Sequence, residues 1–134
     1  MSNKDTELDF EEFAKLLASS DGRIISIGVV DSLFKLRYSN FREGAKFYAD
    51  LDVIRNFMTM TPRLVMNEVQ KLSPLLGQVE AVLLVFKRRV LVFSHLEDYV
   101  VIVGFGTDVP TPFPEYVAGL IKNAAKRTRT SSRI

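Results

Sequence analysis

Residues 79–106, VEAVLLVFKRRVLVFSHLEDYVVIVGFG, decide the fold. They contain three apolar runs, 79–86, 90–95 and 99–105, separated by Lys87-Arg88-Arg89 and Leu96-Glu97-Asp98. Each run has strand length and is rich in Val, Leu and Ile, as a buried strand is. The separators are far shorter than the dozen residues a parallel crossover needs, so neighbouring strands are antiparallel and form a meander. Residues 82–86 and 100–103 are apolar at every position. A sheet with one wet face would alternate, so this pattern predicts a sheet covered on both faces.

Upstream, residues 52–76 carry Val53, Ile54, Phe57, Met58, Met60, Leu64, Val65, Val69 and Leu72 at helical spacing. Pro62 falls inside that run, where it predicts a kink or a restart with Thr61 as cap. Pro74 and Gly77 mark the end. Before the helix, 40–50 reads as a loop. Two further strands are predicted at 23–30 and 33–39, joined at Asp31-Ser32. The second alternates Phe34, Leu36 and Tyr38 against Lys35 and Arg37, the pattern of a sheet edge. A first helix starts at Asp9, with Glu12 three residues on as in a capping box. It buries Phe10, Phe13, Leu16 and Leu17, and stops at Ser20-Asp21-Gly22. After the meander, Thr111-Pro112-Phe113-Pro114 opens a last helix with the face Phe113, Tyr116, Val117, Leu120, Ile121 and Ala124.

The order α-β-β-α-β-β-β-α predicts an α+β fold. Its five-stranded antiparallel sheet has the order 2-1-5-4-3. The first and last helices lie on one face and the middle helix on the other. One domain is expected over 9–126, with 1–8 a disordered N-terminus and 127–134 a disordered basic tail.

The chain has 134 residues, enough for one domain with its own core. No cysteine is present, so disulfides and thiolate metal sites are excluded. The opening MSNKDTELDFEEF lacks the apolar core of a signal peptide, and no apolar run approaches the roughly 20 residues of a membrane span. A cytoplasmic location is expected. The net charge is +2, but acids concentrate at the start, and Lys122, Lys126, Arg127, Arg129 and Arg133 follow Glu115 with no acid among them.

Catalytic chemistry finds little to work with. His95 is the sole histidine and no Gly-x-Ser-x-Gly elbow exists, so a hydrolase triad has no parts. Asp50/Asp52 and Glu97/Asp98 lack calcium-loop spacing. Gly104-Phe105-Gly106 does not lead into a helix N-terminus as a phosphate loop must, and reads as a strand end. No enzyme, metal or cofactor is expected.

The element order resembles the roadblock/dynein-light-chain family within the profilin-like and longin-like group. The likeness rests on the β-rich segment 24–31, the helix 52–76 and the meander from Val79. Asp31-Ser32-Leu33-Phe34 lacks the glycine that the family's first hairpin turn usually carries. Residues 38–46 are also similar to a loop of small archaeal proteins. The roadblock resemblance implies a non-enzymatic, regulatory protein-interaction dimer that often acts beside a small GTPase.

The residues add three candidate surfaces. The apolar excess of the middle helix and the third strand points to a homodimer interface or a protein-partner surface at Phe57, Met58, Met60, Val65, Val79, Ala81 and Leu83. Lys87, Arg88 and Arg89, with the tail, form an anion-binding candidate for nucleic acid or another anionic surface. A small-molecule sensor would need a pocket near 38–48.

Overall fold

A computed structural model describes residues 8–41, 51–87, 89–106 and 114–132. The elements are α1 (Phe10–Ser20), β1 (Ile24–Val30), β2 (Leu36–Phe41), α2 (Leu51–Val69), α3 (Ser73–Leu76), β3 (Ala81–Val85), β4 (Arg89–Leu96), β5 (Tyr99–Gly106) and α4 (Pro114–Ser132). The strands form one antiparallel sheet in the order β2-β1-β5-β4-β3, and with the helices an α+β fold, as expected from the sequence.

Period-two geometry explains why the central strands do not alternate in polarity. On one face, Ile27 and Val29 of β1, Val92 of β4, and Val101, Val103 and Phe105 of β5 meet Phe13 and Leu17 of α1 and Val117 and Ile121 of α4. On the other, Val30, Phe93, Val100 and Ile102 meet Met58 of α2. Residues 100–103 are each at most 5% exposed, because both layers of helices need apolar partners. Gly104 has no room for a side chain: a β-carbon there would collide with the Ser26 hydroxyl and press on Leu91.

The start of α1 follows its sequence signal. The Asp9 carboxylate accepts the Glu12 N–H at 3.2 Å, satisfying one of the orphan donors of the first turn. Three other expectations need correction. The strand after the first turn begins at Leu36 rather than at 33. Asp31 holds the turn open by accepting the N–H groups of Leu33 and Lys35 at 2.9 and 3.0 Å, and Phe34 takes φ 60°. Asp31 thus caps the turn with its carboxylate, while Phe34 takes the positive φ that a glycine would supply in a tighter turn.

The middle helix does not restart at Pro62: it runs from Leu51 to Val69 with the proline buried inside it. The break comes later, at a 3-10 turn over Gln70–Leu72, before α3 ends on Gly77 at φ 88°. That value lies in the left-handed region which glycine fills without a β-carbon penalty.

Helical order also continues past Lys126. Thr128 is 2% exposed and its hydroxyl donates to the Ala124 carbonyl at 2.8 Å. Arg129 donates two bonds to Glu97 in the β4–β5 turn, at 2.5 and 2.7 Å. Helix α4 therefore runs through the segment expected to be disordered from 127 as far as Ser132, and Arg129 ties it to the β4–β5 turn. Residues 1–7, 133 and 134 lie outside the described residues.

Candidate functional site

The two sheet edges differ in chemistry and regularity. β2 and the residue before it are polar along the edge: Lys35, Arg37, Ser39 and Asn40 are exposed. Its register with β1 shifts between Val29 and Val30, so Leu36 and Tyr38 oppose adjacent β1 residues and Arg37 is left over. A bulge and charged residues are the usual ways in which a sheet blunts an edge against further pairing. β3 has neither. It pairs with β4 in unbroken register from Ala81–Ser94 to Val85–Val90, and its five residues are all apolar.

The backbone of β3 points in a definite way. Phe86 N–H donates to the Arg89 carbonyl, and His95 N–H donates to the Glu80 carbonyl at 3.4 Å. Antiparallel bonding alternates along a strand. Even-numbered residues therefore face β4, while Ala81, Leu83 and Val85 turn their N–H and C=O groups outward. Among the described residues, no strand takes up that outer row.

Apolar side chains collect beside this edge. Val85 is 63% exposed and Phe86 49%. The Phe86 ring meets Phe57 of α2 edge to face, and Phe57 in turn meets the buried Phe93. Phe57 thereby fixes which flank of α2 faces the β3 edge. Thr61 and Leu64 lie one and two turns on, along the same flank, and Met60 is its neighbour around the helix. Met60 and Leu64 are 58% and 66% exposed. At the start of β3, Leu72, Leu75 and Leu76 are exposed too. Scattered exposed Leu residues are ordinary on a protein surface, but this concentration at one edge is not.

The residues predicted from the sequence divide accordingly. Phe57 reaches the end of β3 through Phe86, Ala81 and Leu83 lie on β3, and Met60 is exposed on α2. Val79 is half-buried just before β3. Met58 is 6% exposed and belongs to the core, where its terminal methyl covers Gly28. It is not available to a partner. The Val65 side chain lies outside the described residues. Val85, Phe86 and Leu64 were missed as surface residues, because nothing in the sequence separates the buried flank of α2 from its free one.

Of the anion-binding candidates, Lys87 is exposed and Arg89 half-buried at the β3–β4 turn, while Arg88 lies outside the described residues. The turn does not join the basic helix. Arg129 is fixed to Glu97 at the opposite end of β4, about 25 Å away by strand rise. Near Tyr38, a half-open cleft of about 140 Å³ lies between α1 and β1–β2, lined by Ala14, Ala18, Ile27 and Tyr38 among others. Ligand pockets run to roughly 300–1,000 Å³, so this cleft is small for a sensor; a second depression of about 600 Å³, between β2 and α2 and lined by Phe34, Leu36, Tyr38, Asn56 and Thr59 among others, is large enough but wide open to solvent. The loop residues 42–50 lie outside the described residues.

Catalytic features are sparse among the described residues. His95 is half-buried beside Gln70, its ring nitrogen 3.4 Å from the amide, and burial pushes its pKa below the usual histidine value. Asp21 is buried and accepts bonds from the Arg23 side chain and N–H and from the Tyr116 hydroxyl, at 2.6 to 3.2 Å. The Arg23 guanidinium holds the Asp21 carboxyl far below the usual range, against the opposing effect of burial. This cluster ties the end of α1 to α4. Among the described residues, no group of acidic or histidine side chains is arranged to hold a metal ion, and no helix is long and apolar enough to cross a membrane.

The fold is that of the roadblock/LC7 domains. MglB from Myxococcus xanthus matches with a TM-score of 0.64 at 16% identity, over 94% of this chain and 99% of that one. A Roadblock/LC7 domain from Streptomyces avermitilis matches at 0.63 and 11% identity, over 96% and 99% of the two chains. The gliding protein MglB from Thermus thermophilus matches at 0.62 and 12% identity, over 88% and 91%. No family model matches the sequence, and no curated protein matches it.

Proposed function

We propose that this chain is a non-catalytic interaction module that homodimerises through β3 and the adjoining flank of α2, and that regulates a protein partner of the small-GTPase kind. The observation that carries the reading is the contrast between the edges. One is bulged and charged; the other is regular, apolar and bordered by exposed Met60, Leu64, Val85 and Phe86. The partner class rests on the roadblock likeness.

A two-fold pairing centred on Leu83 sets Leu83 opposite its counterpart and Ala81 opposite Val85. All the outward N–H and C=O groups then bond across the seam, and the sheet becomes ten-stranded. Burying the four exposed side chains from each protomer is worth roughly 10 kcal/mol in gross terms, after allowing for their partial burial already. That is comparable to the roughly 4–15 kcal/mol cost of association. The apolar contacts and the strand pairing are both needed for a stable pair.

The chain has no cysteine, which makes the register directly testable. Opposed residues of a hydrogen-bonded antiparallel pair have α-carbons about 5.5 Å apart, inside the range a disulfide spans. Leu83→Cys is expected to crosslink to itself on mild oxidation, while Lys15→Cys, on exposed α1, is not. Equal crosslinking of the two variants would contradict the proposed seam.

A further inference from the structure

Three leucines between α2 and β3 face solvent. Leu72, Leu75 and Leu76, on the 3-10 turn and on α3, are 51%, 82% and 73% exposed. Two contacts locate them. Phe57, in the first half of α2, meets Phe86 at the end of β3. Gln70, just after α2, lies 3.4 Å from the His95 ring, and His95 N–H bonds the Glu80 carbonyl at the start of β3. The helix therefore runs antiparallel to β3 across one face of the sheet. From Gln70, above β4, the chain crosses to the edge strand at Ala81, and α3 lies on that crossing. The leucines are thus beside the first residues of β3, on the α2 face.

The dimer reading above, on which this inference rests, brings a specific surface of the second copy to that place. A two-fold centred on Leu83 sets Glu80 of one protomer opposite Phe86 of the other, a non-hydrogen-bonded pair with α-carbons about 4.5 Å apart. Val82 and Leu84 pack on the α2 layer, so Phe86 lies on that face too. Its ring, still 49% exposed beside its own Phe57, arrives next to the partner's leucines. A two-fold interface makes this contact twice, once at each end of the seam. Charge agrees with the placement. Glu80 and Lys87 are both exposed. Within one chain they are about 20 Å apart by strand rise, and across the seam they become neighbours. Lys71, beside Leu72, is already paired with Glu68 at 3.0 Å.

We infer that Leu75 and Leu76 of each protomer close over the partner's Phe86, with Glu80 bound to the partner's Lys87, so that two reciprocal clasps hold the ends of the seam. A stable interface engages about 20–30 residues a side, more than β3 and one flank of α2 provide, and the clasps bring in the segment 72–80. They also set the register. A pairing slipped by two residues moves Phe86 away from Glu80 and from the leucines, while every outward backbone group near the centre still finds a partner. The strand alone does not distinguish these alignments, and the clasps do.

Charge exchange on the full chain tests this, with dimer dissociation constants from sedimentation equilibrium. In E80K each clasp sets two ammonium groups together, and in K87E two carboxylates. Each variant alone is expected to dimerise at least about tenfold more weakly than the unmodified chain at low salt. Mixed one to one, they are expected to dimerise about as tightly as the unmodified chain, because the heterodimer sets an ammonium against a carboxylate at both ends. L75N/L76N is expected to lose at least about tenfold at low and high salt alike, and adding F86A to it is expected to cost little more. An unmodified chain that dimerises, with L75N/L76N or the two charge variants dimerising just as tightly, overturns the clasps and leaves the seam standing. A mixture no tighter than its components does the same. An unmodified chain that stays monomeric at micromolar concentration overturns the seam, and the clasps with it.

Discussion

Phe57 of α2 and Phe86 at the end of β3 meet edge to face with ring centroids 6.4 Å apart. This contact ties the free flank of the long helix to the free edge of the sheet, so both belong to one surface. Phe57 also reaches Phe93 in the core at 6.3 Å, which holds the flank in place. Replacing Phe86 with Ala removes the outer ring and spares the inner contact. The expected result is a weakened dimer and a thermal midpoint of the monomeric state lowered by only a few degrees, since Phe86 is half exposed.

Leu64 separates folding from association more cleanly. It is 66% exposed, so Leu64→Asn should change the urea unfolding free energy of the monomer by no more than about 0.5 kcal/mol. On the proposed seam the same substitution weakens association by about tenfold or more. Sedimentation equilibrium on the variant measures the second quantity, and denaturation at low protein concentration the first.

Gly104 and Gly106 form a matched pair of controls. A β-carbon at Gly104 meets Ser26 and Leu91, while at Gly106 nothing lies within 4 Å. Gly104→Ala should therefore destabilise the fold by roughly 1–3 kcal/mol, and Gly106→Ala should be close to neutral. Urea titration of both variants reads the difference.

The pH dependence follows from Asp21 and His95. The Arg23 side chain, opposed by burial and supported by the Arg23 N–H and the Tyr116 hydroxyl, keeps the Asp21 carboxyl ionised well below its unfolded pKa. A group depressed in this way contributes stability above the unfolded value of about 3.9 and loses it as the pH falls. Burial depresses His95 from 6.5, so the folded state also disfavours its protonation. Acidification should cost stability first as the pH falls through the unfolded histidine value of about 6.5, through His95, and then as it falls through about 4, through Asp21. His95→Asn should flatten the first region of the stability profile and Asp21→Asn the second.

The Arg129–Glu97 pair should matter locally. Glu97 is 57% exposed on its side chain and solvent screens the pair, so Arg129→Ala is expected to cost under about 1 kcal/mol globally. Its effect belongs to the last turns of α4, where amide exchange near Thr128 should speed up while that of β5 stays unchanged.

The sheet was legible because local chemistry forces it. Short polar separators leave the meander no alternative to antiparallel pairing, and unbroken apolar runs demand two covering layers. The Asp9 cap was legible for the same reason: donor and acceptor lie three residues apart. What escaped depends on contacts distant in sequence. Met58 and Met60 look alike along the chain, yet one covers Gly28 in the core and the other is 58% exposed. Pro62 carries a breaker signal, yet it sits buried within a helix that continues past it to Val69. The order beyond Arg127 depends on Glu97, some thirty residues upstream, which no helical periodicity reveals. The β3 edge was found, but the direction of its free backbone groups required the register with β4.

The most direct measurement is the solution mass by light scattering at micromolar concentration, for the unmodified chain and for Val85→Pro. Proline is tolerated on an outward-facing edge position but cannot donate across a seam, and Val85 is too exposed for its loss to disturb the core. The unmodified chain is expected at twice 15.2 kDa and the variant at 15.2 kDa with unchanged circular dichroism. An unmodified chain at 15.2 kDa, or a variant that remains paired, would contradict association through β3.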